Sequence, residues 1–204
     1  EIQDGSTMER IHRAAMTEFL AKGFRAASLR NIVKTAGVTT GAFYGYYASK
    51  EALFAALVDE EYRYLTGRYR DSLYIFESLP PEEQAQRMNT FAKDCMYELL
   101  NYMDTHRDAF HLLLQCADGT PYAGMVDGLV RLEAEATEHY RGVLRGMGID
   151  VPEMDRRLEH ILITGMLNAY MEIIIHDMPM SEAQKYVEEL NTFYAAGWLK
   201  IMGQ

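Results

Sequence analysis

Apolar side chains recur along this chain at three- and four-residue spacing and almost nowhere in sustained alternation, so helices are expected and strands are not. Ile11, Ala15 and Phe19 lie four apart, which puts them on one face of a helix predicted over residues 7–22, with Gly23 as its stop. Leu29, Ile32, Val33 and Ala36 repeat the i, i+3, i+4, i+7 pattern of a buried stripe. Ser28 offers a hydroxyl to cap that helix, and Gly37 ends it. The chain then restarts at once. Thr39 or Thr40 caps a very short third helix in TGAFYGYY, and Ser49 with Glu51 opens a fourth that runs to about residue 78. Proline in LPPEE suits the first turn of the next helix. Further helices are predicted over residues 82–105, 106–116, 122–147, 152–176 and 181–202, with ADGTPY, GMGIDVP and HDMPMS as the breaks. The fold class is all-α.

Charge divides the chain more sharply than periodicity does. The formal net charge is −10, yet from Gly5 to Lys50 seven basic residues face only Glu9 and Glu18, a local net charge of +5. A basic module on an acidic body points to a polyanion met by the module alone. Within it, two short helices joined by a tight glycine turn form a helix-turn-helix, whose second helix presents its N-terminal residues to the major groove of DNA.

The stretch RIHRAAMTEFLAKGFRAASLRNIVKTAGVTTGAFYGYYASKEALFAALV resembles the N-terminal domain of the TetR family of bacterial transcriptional repressors. The match rests on several elements in order: AA, F and KGF in the first helix, SLRNIV and AGV in the second, TTGAFYGYY as recognition helix, then SKEAL. Two positions depart from the commonest pattern. Gly45 replaces a larger residue, at a cost of about 1 kcal/mol relative to alanine inside a helix, and Tyr46 stands where histidine is frequent.

The resemblance implies a helix-turn-helix domain over residues 1–50 and a helical effector-binding and dimerisation domain over residues 51–204. It implies that Thr39, Thr40, Gly41 and Ala42 approach base edges and that Tyr44 enters the groove. Ser28, Tyr46 and Lys50 match positions that bind phosphate. Phe43 and Tyr47, by spacing, face the small domain's own core.

The body carries no comparable motif, but it is rich in methionine and aromatic residues, which suit adaptable apolar surfaces. The resemblance implies a pocket for an unknown small hydrophobic or amphipathic effector. Expected lining residues are Phe91, Cys95, Leu99, Phe110, Leu113, Met125 and Met166, with Gln115, Asn168 or His111 as polar anchors; a plain helical core would show the same periodicity. Residues 159–177 are apolar around most of their circumference, and Leu190, Phe193, Tyr194, Gly197, Trp198 and Ile201 form another stripe. The two resemble the dimer interface of this family, with Ile174 and Trp198 expected inside it. The acidic runs EAEATEH (133–139) and VEEL (187–190) are expected on solvated faces.

The expected function is therefore a ligand-responsive repressor that binds a palindromic double-stranded DNA operator as a homodimer. The alternative is a helical DNA-binding protein without an effector, controlled through a protein partner. An enzyme is not expected. A di-iron bundle needs Glu-x-x-His on two helices, and only Glu9 to His12 supplies it; no phosphate loop, nucleophile elbow or HExxH occurs. Glu172 and His176 lack a third ligand, and Cys95 and Cys116 lack metal-site spacing, so no cofactor or metal is expected. No basic N-terminal region precedes an apolar run and no uninterrupted apolar span appears, so a cytoplasmic location without membrane partners is expected.

Overall fold

Ser6 starts the first helix with a reciprocal cap. Its hydroxyl accepts from the Glu9 N–H at 3.2 Å, and the Glu9 carboxylate accepts from the Ser6 N–H at 2.7 Å. In the computed structural model, which describes residues 5–203, that helix, α1, spans Thr7–Ala26 with a break at Gly23. It is followed by α2 (Leu29–Thr35), α3 (Thr40–Tyr44), α4 (Lys50–Glu77), α5 (Pro81–Thr105) and α6 (Arg107–His111). A π-helical turn over Leu112–Cys116 continues α6, and α7 (Met125–Gly146), α8 (Arg156–Ile175) and α9 (Met180–Ile201) complete the order. No strand occurs among the described residues. Boundaries lie within a few residues of those expected, because glycine, proline and capping residues set them locally. Gln84 adds a long-range stop: its amide donates to the Glu77 and Leu79 carbonyls at 3.1 and 2.8 Å, closing the end of α4.

Two compact units form. One comprises the chain up to Arg63 together with His106–Ala123; the other comprises Tyr64–Thr105 and the chain from Gly124 onward. The boundary expected at residue 50 marks the start of α4, whereas the first unit also takes the first half of that helix and a segment from the middle of the chain.

The first unit is centred on α1. Ile11, Ala15, Phe19, Ile32, Phe43, Leu53, Phe54 and Val58 are inaccessible to solvent. The rings of Phe19 and Phe24 stand edge-on to Phe54 at 5.1 and 5.3 Å, a favourable aromatic geometry. The returning segment packs its π turn against α1, with Phe110 and Leu112 fully buried. Tyr122 fixes its far end by donating to Asp59 at 3.0 Å, its ring 6.1 Å from that of Phe54.

The second unit is a bundle in which α7 packs on α8, α5 on α9 and α8 on α9, with the latter half of α4 belonging to the same unit. Arg141, almost wholly buried, joins α7 to the next loop by donating to the Pro152 carbonyl at 2.7 Å and faces Glu159 of α8 at 3.8 Å. Ile163, Leu167 and Ile174 of α8 point inward, while Leu158 and Ile161 remain exposed. Among the described residues, α8 alone is long and apolar enough to cross a membrane by length and composition; here its inward side packs on α7 and α9.

Candidate functional site

The second helix of the helix-turn-helix is shaped by three local devices. Gly37 takes φ +64°, a left-handed conformation that a side chain would strain, and lets the Val38 N–H return to the Val33 carbonyl at 3.2 Å. Thr39 then caps α3, its hydroxyl accepting from the Ala42 N–H at 3.1 Å. Phe43 anchors the helix from beneath, fully buried as expected. Gly45 proves to be the C-cap rather than an interior residue, so the expected helix penalty does not apply there. Tyr47 is half-buried, its hydroxyl hydrogen-bonded to the His12 imidazole; burial lowers the His12 pKa and raises that of Tyr47.

With Phe43 turned inward, the opposite side of this element is open. Thr39, Thr40, Gly41 and Ala42 are exposed, and Tyr44 and Tyr46 keep 54% and 51% of their surface. Aromatic side chains left this open on a rigid scaffold signal a binding surface. No carboxylate side chain occurs between Glu18 and Glu51, so this stretch carries nothing that repels a phosphate backbone.

Two residues expected at phosphates are otherwise engaged. The Lys50 ammonium donates to the carbonyls of Phe24, Ala27 and Arg25 at 2.7, 3.1 and 3.4 Å and sits 4.4 Å above the Phe24 ring. Its three donors are all taken, so Lys50 is a cap for the end of α1. Ser28 caps α2, accepting from the Asn31 N–H at 3.3 Å, but its own N–H donates to the Glu18 carboxylate at 3.0 Å. Bonds from Lys22 and from that N–H hold Glu18 below the usual carboxylate range, so an anion from the protein already occupies this spot.

The second unit contains a cavity of about 140 Å³. Its wall includes Tyr69, Ser72 and Phe76 of α4, Phe91 and Cys95 of α5, and Glu133, Thr137 and Tyr140 of α7; Met166 and Tyr170 of α8 and Tyr194 and Trp198 of α9 complete most of it. Of the expected lining residues the structure brings together Phe91, Cys95 and Met166. The others lie elsewhere. Leu99 and Met125 are buried in the second unit away from the wall, and Asn168 is exposed. Phe110, Leu113, Gln115 and His111 belong to the segment of the first unit, with Gln115 exposed and bonded to His111 at 3.1 Å. Periodicity identified most of these apolar residues as buried, but it carries no information on which neighbours bury them. Ile174 is fully buried within the protomer and provides no outer contact face, whereas Trp198 lines the cavity and is half-buried.

Glu133 corrects the expectation of a solvated acidic run. Its carboxylate accepts from the Tyr69 hydroxyl at 2.5 Å on the cavity wall, and the residue is half-buried. Burial raises its pKa, with the Tyr69 bond acting in the other direction. Burial also pushes Tyr69 well up, Cys95 up, and Tyr170 to about 12, so the hydroxyls and the thiol stay protonated. Among the described residues no cluster of three metal-ligating side chains occurs. Glu172 and His176 form an exposed i, i+4 pair at 2.8 Å.

The described residues thus hold a helix-turn-helix scaffold in the first unit and a cavity-bearing helical bundle in the second. Residues 11–57 match the model for bacterial regulatory proteins of the tetR family. Over 93 residues the chain is 33% identical to the uncharacterized HTH-type transcriptional regulator YdgC of Bacillus subtilis (strain 168), covering 46% of this chain and 47% of that protein. It is 33% identical over 80 residues to the HTH-type transcriptional regulator UidR of Escherichia coli (strain K12), covering 36% and 41%. The chain thus spans less than half the length of these curated relatives. A TetR-family transcriptional regulator from Bordetella parapertussis 12822 has the same fold, with TM-score 0.60, 20% identity and coverage of 97% and 98% of the two chains. Residues 11–57 are thus similar to the regulatory domain of the tetR family, and the relatives that the chain matches are named as transcriptional regulators.

Proposed function

We propose that the protein is a ligand-responsive transcriptional repressor that binds a palindromic double-stranded operator as a homodimer. The observation that carries this is the open, carboxylate-free face of α3 held over a buried Phe43. Thr39, Thr40, Gly41 and Ala42 are small enough to let backbone and hydroxyls approach base edges, and Tyr44 reaches into the groove. Tyr46 meets a flanking phosphate, while Ser28 and Lys50 hold the scaffold. Leu158 and Ile161 on α8, with Tyr186 and Phe193 on α9, are exposed apolar residues on two packed helices and form the dimer contact. The domain division follows the same reading: the first 50 residues bind DNA and the remainder supports effector binding and dimerisation. A cytoplasmic setting and the absence of a cofactor belong to it as well.

The long α4 couples the two activities. Its Leu53, Phe54 and Val58 are core residues of the first unit, and its Tyr69, Ser72 and Phe76 line the cavity. An effector that displaces this helix alters the spacing of two recognition helices on successive major grooves. Coupling of about 1–3 kcal/mol is reciprocal, so operator must weaken effector binding by the factor by which effector weakens operator binding. Selection of duplexes from a random pool, followed by titration across salt concentrations, tests the DNA assignment. A palindromic site bound by a dimer, with affinity falling as salt rises, is expected; no enrichment of any duplex overturns it.

A further inference from the structure

Glu133 is the one carboxylate on the cavity wall, and none of the described residues lining it is lysine, arginine or histidine. The nearby Arg68 is bound to Glu98 by two bonds of 2.6 Å and to Ser72 at 2.9 Å, so its charge is answered outside the cavity. Asn89, also on the wall, holds its Oδ1 buried without a hydrogen-bond partner. The wall therefore carries one ionisable carboxylate and hydroxyl and amide groups, but no basic side chain to pair with that carboxylate. Its apolar part is aromatic: the rings of Phe76 and Phe91 lie 5.5 Å apart, and those of Phe76 and Tyr140 lie 5.7 Å apart.

We infer that the cavity takes a small organic cation, a protonated or quaternary amine with an apolar body, its charge against the Glu133 carboxylate and its body against Phe76, Phe91 and Tyr140. This rests on the cavity being the effector site proposed above. A buried carboxylate without a cationic partner is costly, and a ligand cation removes that cost while ring faces add attraction. An anionic ligand meets the opposite: like charge at Glu133 and no base to pair with. The titratable groups facing Glu133 are Tyr69 of α4, Cys95 of α5 and Tyr170 of α8, with Tyr194 of α9 beside Tyr170. All of these are neutral in their protonated forms, so Glu133 alone supplies charge at the wall. Binding a permanent cation draws the proton off Glu133, and affinity for it rises with pH until the free protein is itself ionised there.

The test is calorimetric titration of the full chain with benzyltrimethylammonium, its uncharged carbon isostere neopentylbenzene, and the anion benzylphosphonate. The cation is expected to bind at least about tenfold more tightly than the isostere above the titration range of Glu133. Glu133→Gln, which keeps the side-chain shape and an acceptor for Tyr69, is expected to abolish that preference and flatten its pH dependence while leaving the isostere's affinity unchanged. Equal binding of cation and isostere, preference for the anion, or a cation preference that survives in E133Q overturns the cation assignment but leaves the effector cavity standing. Failure of all three compounds to bind a folded, dimeric protein overturns the effector cavity itself, and the cation assignment with it.

Discussion

Replacing Lys50 separates two roles that a sequence match leaves superimposed. The ammonium has three N–H donors, and three carbonyls at the end of α1 receive them. Those carbonyls belong to the turn that follows the break at Gly23 and to the Ala27 C-cap. Bonds from a charged donor contribute about 1.5–3 kcal/mol each when buried, but this site is half-exposed and water replaces part of them once the side chain is gone. Counting the two shorter bonds at reduced weight, and adding a ring contact of about 0.5–1 kcal/mol, gives a loss of about 2 kcal/mol for Lys50→Ala. Lys50→Met keeps the stem packed on Phe24 and is expected to lose somewhat less. Trp198 lies in the second unit, so its fluorescence is the wrong probe; far-UV circular dichroism in urea and hydrogen exchange of the α1 and α2 amides report on the affected region. The salt dependence of operator binding should keep its slope in K50A, because no phosphate contact has been removed. Unchanged stability together with a slope reduced by about one unit would refute the capping role and restore Lys50 to the DNA backbone.

Assembly is testable at two contrasting sites. Phe193→Glu and Ile161→Glu, at residues 72% and 63% exposed in the protomer, should yield folded monomers by sedimentation, whereas Ile174→Glu should unfold the second unit by burying an unpaired charge. Phe193→Glu protein that sediments as an undisturbed dimer would remove α9 from the interface. Glu133 predicts a pH effect of definite sign. Its folded pKa lies above the ordinary value of 4.5, so the folded state binds more protons, and ligand-free protein should lose stability as pH rises from about 4.5 through the raised value, then level off. The E133Q variant should lack this decline in urea midpoints, and parallel curves for the two proteins would contradict it.

Helix positions were legible because their signals are local: Ser28 and Thr39 cap, Gly37 turns, Pro81 starts. The burial of Phe43 was legible for a related reason, since the spacing in TTGAFYGYY sets which side of the short helix faces the core and which stays open. The cavity was not. Glu133 stands in an acidic run typical of a solvated face, and its partner Tyr69 is 64 residues away. Ile174 and Trp198 look alike as apolar members of terminal helices, yet the structure assigns one to the protomer core and the other to the cavity wall. Phe110 and Leu113 were correctly apolar and buried, but only tertiary contact reveals that α1 covers the turn that follows Phe110.

The return of His106–Ala123 to the first unit imposes an order on biosynthesis. Some sixty residues separate Arg63 from the far end of that segment, about 3 to 12 s of elongation at ~5–20 residues per second. During that interval α1 to α4 have emerged, yet the side of α1 that receives the π turn and the side of Phe54 that meets Tyr122 have no cover. The first unit therefore cannot be finished until the segment that ends at Ala123 has been made. A chain stalled between these points presents apolar surface to the cell, and a truncation after residue 63 is a fragment of a fold and not a portable DNA-binding domain.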